Sequence, residues 1–214
     1  MRKPPRLISE KFAAGGYDNP GIQLSRRLEK LEADPHIRPS SYEALGKIRP
    51  AFGGVQSGGN SSGIVDGAAA ALVASSAYVK ASGAKPLARL RAAATVGVPP
   101  ETMGLSPATT IRKLLEVTGL ELSAIDRFEI NEAFAAQIIA VERELQLDRG
   151  KLNVNGGAIA IGHPLAATGI RLSVTLAREL ARSRLRYGVA SACIGGGQGI
   201  ALLLENTAAT SVAC

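Results

Sequence analysis

Three polar residues sit where a loop meets a regular element, and their types suit acyl and proton transfer. Asn131 ends the stretch Phe128-Glu-Ile130 and precedes a helical pattern. His163 lies in Gly162-His163-Pro164, after a glycine-rich run and just before another helical pattern. Cys193 closes an apolar stretch and is followed, one residue on, by three glycines. An imidazole exchanges protons near neutrality, and a carboxamide offers hydrogen bonds without charge. A thiol with its ordinary pKa of about 8.5 can both take and give a proton. In open α/β folds ligands gather beyond the carboxyl ends of strands, so three such junctions converging there build a site. Each residue has a structural alternative. Asn131 is a good N-cap for the helix after it. A lone histidine before a helix is commonly a satisfied structural group, and a cysteine in an apolar strand packs as a small hydrophobe. Gly195 to Gly197 reads alone as a hairpin turn, and Gly58-Gly-Asn-Ser-Ser-Gly63 as a loop.

The elements that must position these residues follow from periodicity. Leu87 to Val96 alternates as a strand. Ser106 is placed to cap a helix with Pro107 at its first position, running to Thr118 and ended by Gly119. Ile125 to Ile130 is a short strand. Glu132 to Leu147 carries Phe134, Ile138, Val141 and Leu145 at helical spacing, and Leu165 to Ala181 carries Leu172, Leu176 and Leu180 on one face. Tyr187 to Ala192 and Gly199 to Leu204 read as buried strands. The order of strand, helix, strand, helix, helix, strand, strand predicts a layered α/β unit over Pro86 to Asn206. Ahead of it, Gly53 to Gly63 is a loop, and the alanine-rich Asp66 to Ser76 is either a helix or a buried strand. The first fifty residues, with Pro4, Pro5, Pro20, Pro35, Pro39 and Pro50, read as loop-rich, with a short helix at Leu24 to Leu31.

Composition bounds the function. The 214 residues are 46% hydrophobic but only 4% aromatic, so the core is aliphatic. Twenty-five basic against 18 acidic residues give +7. The basic residues are scattered without interleaved aromatics, which argues against nucleic acid and leaves a phosphate-bearing small molecule open. The two cysteines, Cys193 and Cys214, form no C-x-x-C pair, so neither a metal site nor a disulfide framework is expected. Met1-Arg-Lys-Pro-Pro-Arg6 leads into no signal-peptide core, and the most apolar stretch, Ile64 to Val79, contains Asp66 and is too short for a span. A soluble, cytoplasmic protein is expected.

Taken together, the motifs resemble those of the thiolase family. Asn131-Glu-Ala-Phe134 is similar to the family's Asn-Glu-Ala-Phe motif. Asn153-Val-Asn-Gly-Gly-Ala-Ile-Ala-Ile-Gly-His-Pro164 resembles its Gly-His-Pro segment, and Cys193-Ile-Gly-Gly-Gly-Gln-Gly199 its terminal Cys-x-Gly motif. Gly59-Asn-Ser-Ser-Gly63 with Asp66-Gly-Ala-Ala69 resembles the loop beside the pantetheine arm, and Ser41 to Phe52 the end of the family's loop domain. These motifs occur in family order over Ser41 to Glu205.

The resemblance implies a layered α/β thiolase fold, here its C-terminal half with a mixed sheet and helices. It divides the chain into 1–52 (loop-domain remnant), 53–85 (coenzyme A-side loop and the last strand of the N-terminal domain, near Ile64 to Ala74), 86–206 (C-terminal domain) and 207–214 (tail). It implies that Cys193 moves the substrate α-proton and that His163 activates a nucleophilic cysteine and faces the thioester oxygen. Asn131 would hold a water in that oxyanion hole, and the Gly195 N–H would serve a second one. A donor of this kind is worth on the order of 2.7–4 kcal/mol in the transition state. Ser62, Met103 and Phe134 would line the coenzyme A tail. Coenzyme A is then a substrate, with no further cofactor and no metal, and the partners are acyl-CoA and either a second copy or an N-terminal thiolase half. No cysteine precedes Cys193, so the acylated residue of the family has no counterpart in the 214 residues. The expected activity is acyl-CoA C-acyl transfer, by thiolysis of a 3-oxoacyl-CoA or the reverse condensation. Leu165 and the Gln198-containing ending lean it toward the degradative enzymes. The alternatives are a non-catalytic coenzyme A-binding or interaction subunit, or an inactive fragment.

Overall fold

Four stretches pair into one mixed sheet in the computed structural model, which describes His36 and residues 40–208. In chain order they are β1 (Arg89–Gly97), β2 (Arg127–Ile130), β3 (Tyr187–Ile194) and β4 (Gln198–Glu205), and across the sheet they lie β1-β4-β3-β2. β4 is antiparallel to both its neighbours, whereas β2 runs parallel to β3. Among the described residues six α-helices accompany them: α1 (Tyr42–Gly46), α2 (Ser76–Ser82), α3 (Ser106–Thr118), α4 (Ala135–Leu145), α5 (Ala158–Ile161) and α6 (Thr168–Ser183). A parallel pair needs a long crossover, and residues 131–186, with α4, α5 and α6, supply it.

The two-residue period of the strands sorts the core onto two faces. Val189 and Leu203 pack with Ile111, Leu114 and Val141 on the α3 and α4 side. Their neighbours Ala190 and Leu204 pack with Leu172, Leu176 and Leu180 of α6 on the other. The register then places Phe128, opposite Val189, on the first face and Glu129, opposite Ala190, on the second. Gly199 matters for the site because it pairs with Cys193. A methyl group on it would overlap Thr110 Oγ1 and come within 2.8 Å of the Ser106 carbonyl, so only glycine lets α3 lie this close to β4.

The expected order of strands and helices holds apart from the additional short helix α5, and several boundaries move for local reasons. Ser106 is not a side-chain cap. Leu105 occupies the cap position after a 3₁₀ turn, and Ser106 Oγ donates to the Gln198 carbonyl at 2.8 Å, tying α3 to the β3–β4 hairpin. Asn131 does not cap the next helix either. That helix starts at Ala135, with an extended Phe134 at its cap position, so Asn131 to Ala133 form a separate turn. The helix expected from Leu165 begins at Thr168, because the Ala167 and Thr168 N–H groups both bond the Pro164 carbonyl in a tight turn. Asp66 to Ser76 is neither helix nor buried strand. Residues 66–75 are exposed and outside regular structure, and helix α2 begins only at Ser76, where Ser75 Oγ accepts the Tyr78 N–H. The strand expected at Ile64 to Ala74 is reduced to a single bridge between Ile64 and His163. The helix expected at Leu24 to Leu31, the residues around it and Cys214 lie outside the described residues.

Gly199→Ala is expected to cost about 1–3 kcal/mol through overpacking against the Ser106 backbone. Urea denaturation checks this, and wild-type stability would show that α3 retreats freely from β4.

Candidate active site

Asn131 follows β2 directly, and its N–H prolongs the ladder onto β3, donating to the Ser191 carbonyl at 2.9 Å. Its side chain is 1% exposed, and neither Nδ2 nor Oδ1 has a partner among the described residues. A buried carboxamide with both ends unmet is costly and marks a place for water or ligand. Cys193 lies two residues beyond Ser191, near the same end of the neighbouring strand. Its thiol is buried, and desolvation pushes its pKa up against a backbone hydrogen bond that favours the thiolate. The sulfur is therefore a resting thiol rather than a standing thiolate.

His163 reaches this end by a different path. Leu152 bridges Phe128 in parallel, and the Asn153 N–H donates to the Phe128 carbonyl at 2.9 Å, so the chain leaves beside β2 in the same direction. The segment 60–63 then laces the two loops together. The Ala135 N–H donates to the Asn60 carbonyl at 2.8 Å, the Ser62 N–H to the Ala133 carbonyl at 3.0 Å, and the His163 N–H to the Gly63 carbonyl at 2.8 Å. Gly162 is left-handed (φ 88°), and a Cβ there would press on Val65 at 2.5 Å, so both conformation and space require glycine before the histidine.

The imidazole has one fixed partner. His163 Nδ1 lies 2.6 Å from Thr168 Oγ1, and that hydroxyl donates to the Pro164 carbonyl at 3.0 Å. A threonine proton given to that carbonyl leaves Oγ1 as the acceptor, and this geometry assigns the donor role to Nδ1. The neutral ring then carries its lone pair on Nε2. Burial, aided by the positive charge of Arg171, lowers the His163 pKa from its ordinary value and keeps the ring neutral.

Beneath the site, Glu129 and Arg171 carry buried polar atoms without hydrogen-bond partners among the described residues. Burial pushes the Glu129 carboxyl up to about 7, against the attraction of Arg171 and helped by the charges of Glu132 and Glu179. Arg171 is likewise lowered by burial, with Glu129 and Glu132 opposing.

Of the remaining residues singled out from sequence, Ser62 Oγ donates to the Ala133 carbonyl at 3.2 Å, so it fastens the lacing segment. Phe134 is half-buried and bridged to Ser61, and Met103 is half-buried in the 3₁₀ turn before α3. Gly195 is exposed and opens the hairpin whose Gly196 and Gly197 are left-handed. No hydrogen bond joins the His163 ring to the Cys193 sulfur among the described residues. Thr168, Glu132, Asn153, Glu129 and Arg171 were not singled out from sequence. Glu132 and Asn153 stand inside the recognised motifs, and the carboxylate in the apolar run Phe128-Glu-Ile130 was itself an anomaly.

Residues 84–206 match the thiolase C-terminal domain family. The chain belongs to the thiolase family. It is 46% identical over 202 residues to the 3-ketoacyl-CoA thiolase, mitochondrial, of Bos taurus, covering 91% of this chain and 51% of that protein. It is 49% identical over 168 residues to the acetyl-CoA acetyltransferase of Escherichia coli, covering 78% and 43%. The crystal structure of human mitochondrial 3-ketoacyl-CoA thiolase superposes with a TM-score of 0.80 at 47% identity, over 83% of this chain and 46% of that one. That of the Bacillus anthracis acetyl-CoA acetyltransferase gives 0.75 at 39% identity, over 94% and 52%. The chain spans about half the length of the curated relatives it matches. Among the described residues of this thiolase chain, no helix is long and apolar enough to cross a membrane.

The thiolase histidine is expected to titrate below about 6.5 and to hold its neutral proton on Nδ1. Because the folded pKa lies below the unfolded one, the associated stability is present above about 6.5 and lost as pH falls through the folded value. The chain has two histidines, so nitrogen-15 imidazole spectra resolve the ring directly. Thr168→Val should mix the tautomers while Thr168→Ser preserves them. An unchanged tautomer in Thr168→Val would remove the threonine from the site.

Proposed function

We propose that this chain provides the proton-transfer and oxyanion part of a thiolase-type acyl-CoA C-acyltransferase. The observation that carries this is the juxtaposition of an unpartnered buried carboxamide, Asn131, with a histidine loop laced to its turn, on the sheet that bears Cys193. Substrate would be a 3-oxoacyl-CoA in thiolysis, or two acyl-CoA units in the reverse condensation. Ser62, Met103 and Phe134 would border the coenzyme A tail, with the Gly195 N–H at a second oxyanion hole.

Such a reaction needs a nucleophilic thiol besides Cys193, because one sulfur cannot be acylated and exchange a proton at once. We assign that thiol to a cysteine-bearing thiolase half outside these 214 residues. Nε2 of His163 takes its proton, and the thiolate attacks C3 of the 3-oxoacyl-CoA. The C2–C3 bond breaks, and the C2 carbanion takes the proton of Cys193, releasing acetyl-CoA. Coenzyme A then gives its thiol proton to the Cys193 thiolate and attacks the acyl group. The departing sulfur recovers its proton from His163, which closes the cycle. In the charged intermediate the Nε2–H and a water on Asn131 face the thioester oxygen.

A second reading, an interaction subunit, is favoured by the exposed segment 64–78. Ile64, Leu72 and Val73 are more than four-fifths exposed, an unusual display of apolar side chains. Both readings use this segment as a contact for another chain.

The chain alone is expected to show no thiolysis, and mixing with a cysteine-bearing N-terminal half should restore it. Cys193→Ala or His163→Ala should then lower turnover by about 100- to 10,000-fold. Replacing Leu72 and Val73 together by aspartate should block assembly. A thiolysis assay with labelled acetyl-CoA decides the matter. Robust turnover by the lone chain, or acetyl label on Cys193, would sink the proposal, whereas assembly without any turnover would favour the interaction subunit.

A further inference from the structure

Glu132 follows Asn131 directly in sequence and is bonded to the segment that leads to His163. One carboxylate oxygen accepts from Asn153 Nδ2 at 3.0 Å, and the other from the Ile159 N–H at 3.1 Å. Asn153 in turn grips the end of β2. Its Oδ1 accepts the Ile130 N–H at 2.8 Å, and its Nδ2 donates to the Ile130 carbonyl at 2.9 Å, so the side chain imitates a neighbouring strand. Asn153 does this from a left-handed backbone (φ 46°), which asparagine tolerates better than most residues. Gly157 lies directly against the Glu132 carboxylate, and a methyl group there would overlap it. Gly157 is extended rather than left-handed, so it is space for the carboxylate, not conformation, that calls for glycine.

We propose that Glu132 is the positioning residue that sets the separation of Asn131 and His163. It follows Asn131 directly in sequence, and it holds the segment 153–159 that delivers His163 four residues later. Two N–H donors on one carboxylate make charge-assisted bonds, stronger than neutral ones. The clamp therefore joins the Asn131 turn to the histidine loop independently of the lacing segment 60–63. The proposal rests on the thiolase-type roles given above to Asn131 and His163, but its test does not require turnover.

Glu132→Gln keeps the shape and replaces one acceptor oxygen with an amide that cannot accept. Gly157→Ala keeps the carboxylate and displaces it. Leu176→Ala, in the α6 core, serves as a control for general destabilisation. Hydrogen exchange of the Ile159 amide and the nitrogen-15 resonances of His163 Nε2 and Asn131 Nδ2 are followed in each. Both site variants are expected to lower Ile159 protection by about 10- to 100-fold beyond the control and to move both resonances, with Leu176→Ala moving neither. In the assembled enzyme, Glu132→Gln should lower kcat with little change in KM. If Glu132→Gln fails to fold, Gly157→Ala alone decides. Unmoved His163 and Asn131 resonances in the folded variants, or equal movement in Leu176→Ala, would overturn the proposal. Resonance shifts with no turnover in any assembly would leave the clamp standing and refute the activity instead.

Discussion

The parallel pairing of β2 with β3 is the constraint from which the site follows. Two parallel strands end on the same side, so Asn131 and Cys193 are delivered to one edge of the sheet before any side chain is chosen. The same pairing obliges the chain to cross over, and the crossover makes a second pass in that direction at Leu152 and Asn153. His163 is carried on that pass. Segments far apart in sequence are thus led toward one end of the sheet, and glycines at 157, 162 and 199 allow the close backbone approaches.

The polar groups divide by whether the chain satisfies them. The Ser62, Asn153, Glu132 and Thr168 side chains are bonded within the fold, and each bond aligns a loop or a ring. Asn131 is buried more deeply than Ser62, Asn153 and Glu132, yet its side chain bonds nothing among the described residues. The desolvation cost of that carboxamide is tolerable if water or substrate completes it. His163 and Cys193 are shifted in opposite directions by the same cause. Burial disfavours the charged form of each, leaving a neutral imidazole and a neutral thiol at rest.

Much of this was legible in the residues. The strand and helix order followed from period, and the three candidate residues were picked out by their place at element junctions. What sequence could not show was which polar group would be spent on the local backbone. Asn131 looked like a cap because asparagine caps well, but the turn at 131–133 intervenes and the helix starts at Ala135. Ser106 looked like a cap for the same reason, and its hydroxyl is used 92 residues away on Gln198. The alanine-rich run 66–75 has a composition that suits burial, yet among the described residues no element covers it. Thr168 was hidden because a hydroxyl at a helix start has many ordinary uses, and only the 2.6 Å approach to His163 distinguishes this one.

The central claim is that these segments form a single ligand-binding edge. Titration of acetyl-CoA into the isotope-labelled chain, followed through Asn131 Nδ2, the His163 ring nitrogens and the Cys193 amide, tests this most directly. All three sets of resonances are expected to move along one saturating isotherm, with His163 retaining its Nδ1 proton. Saturable binding that leaves Asn131, His163 and Cys193 unmoved would contradict it.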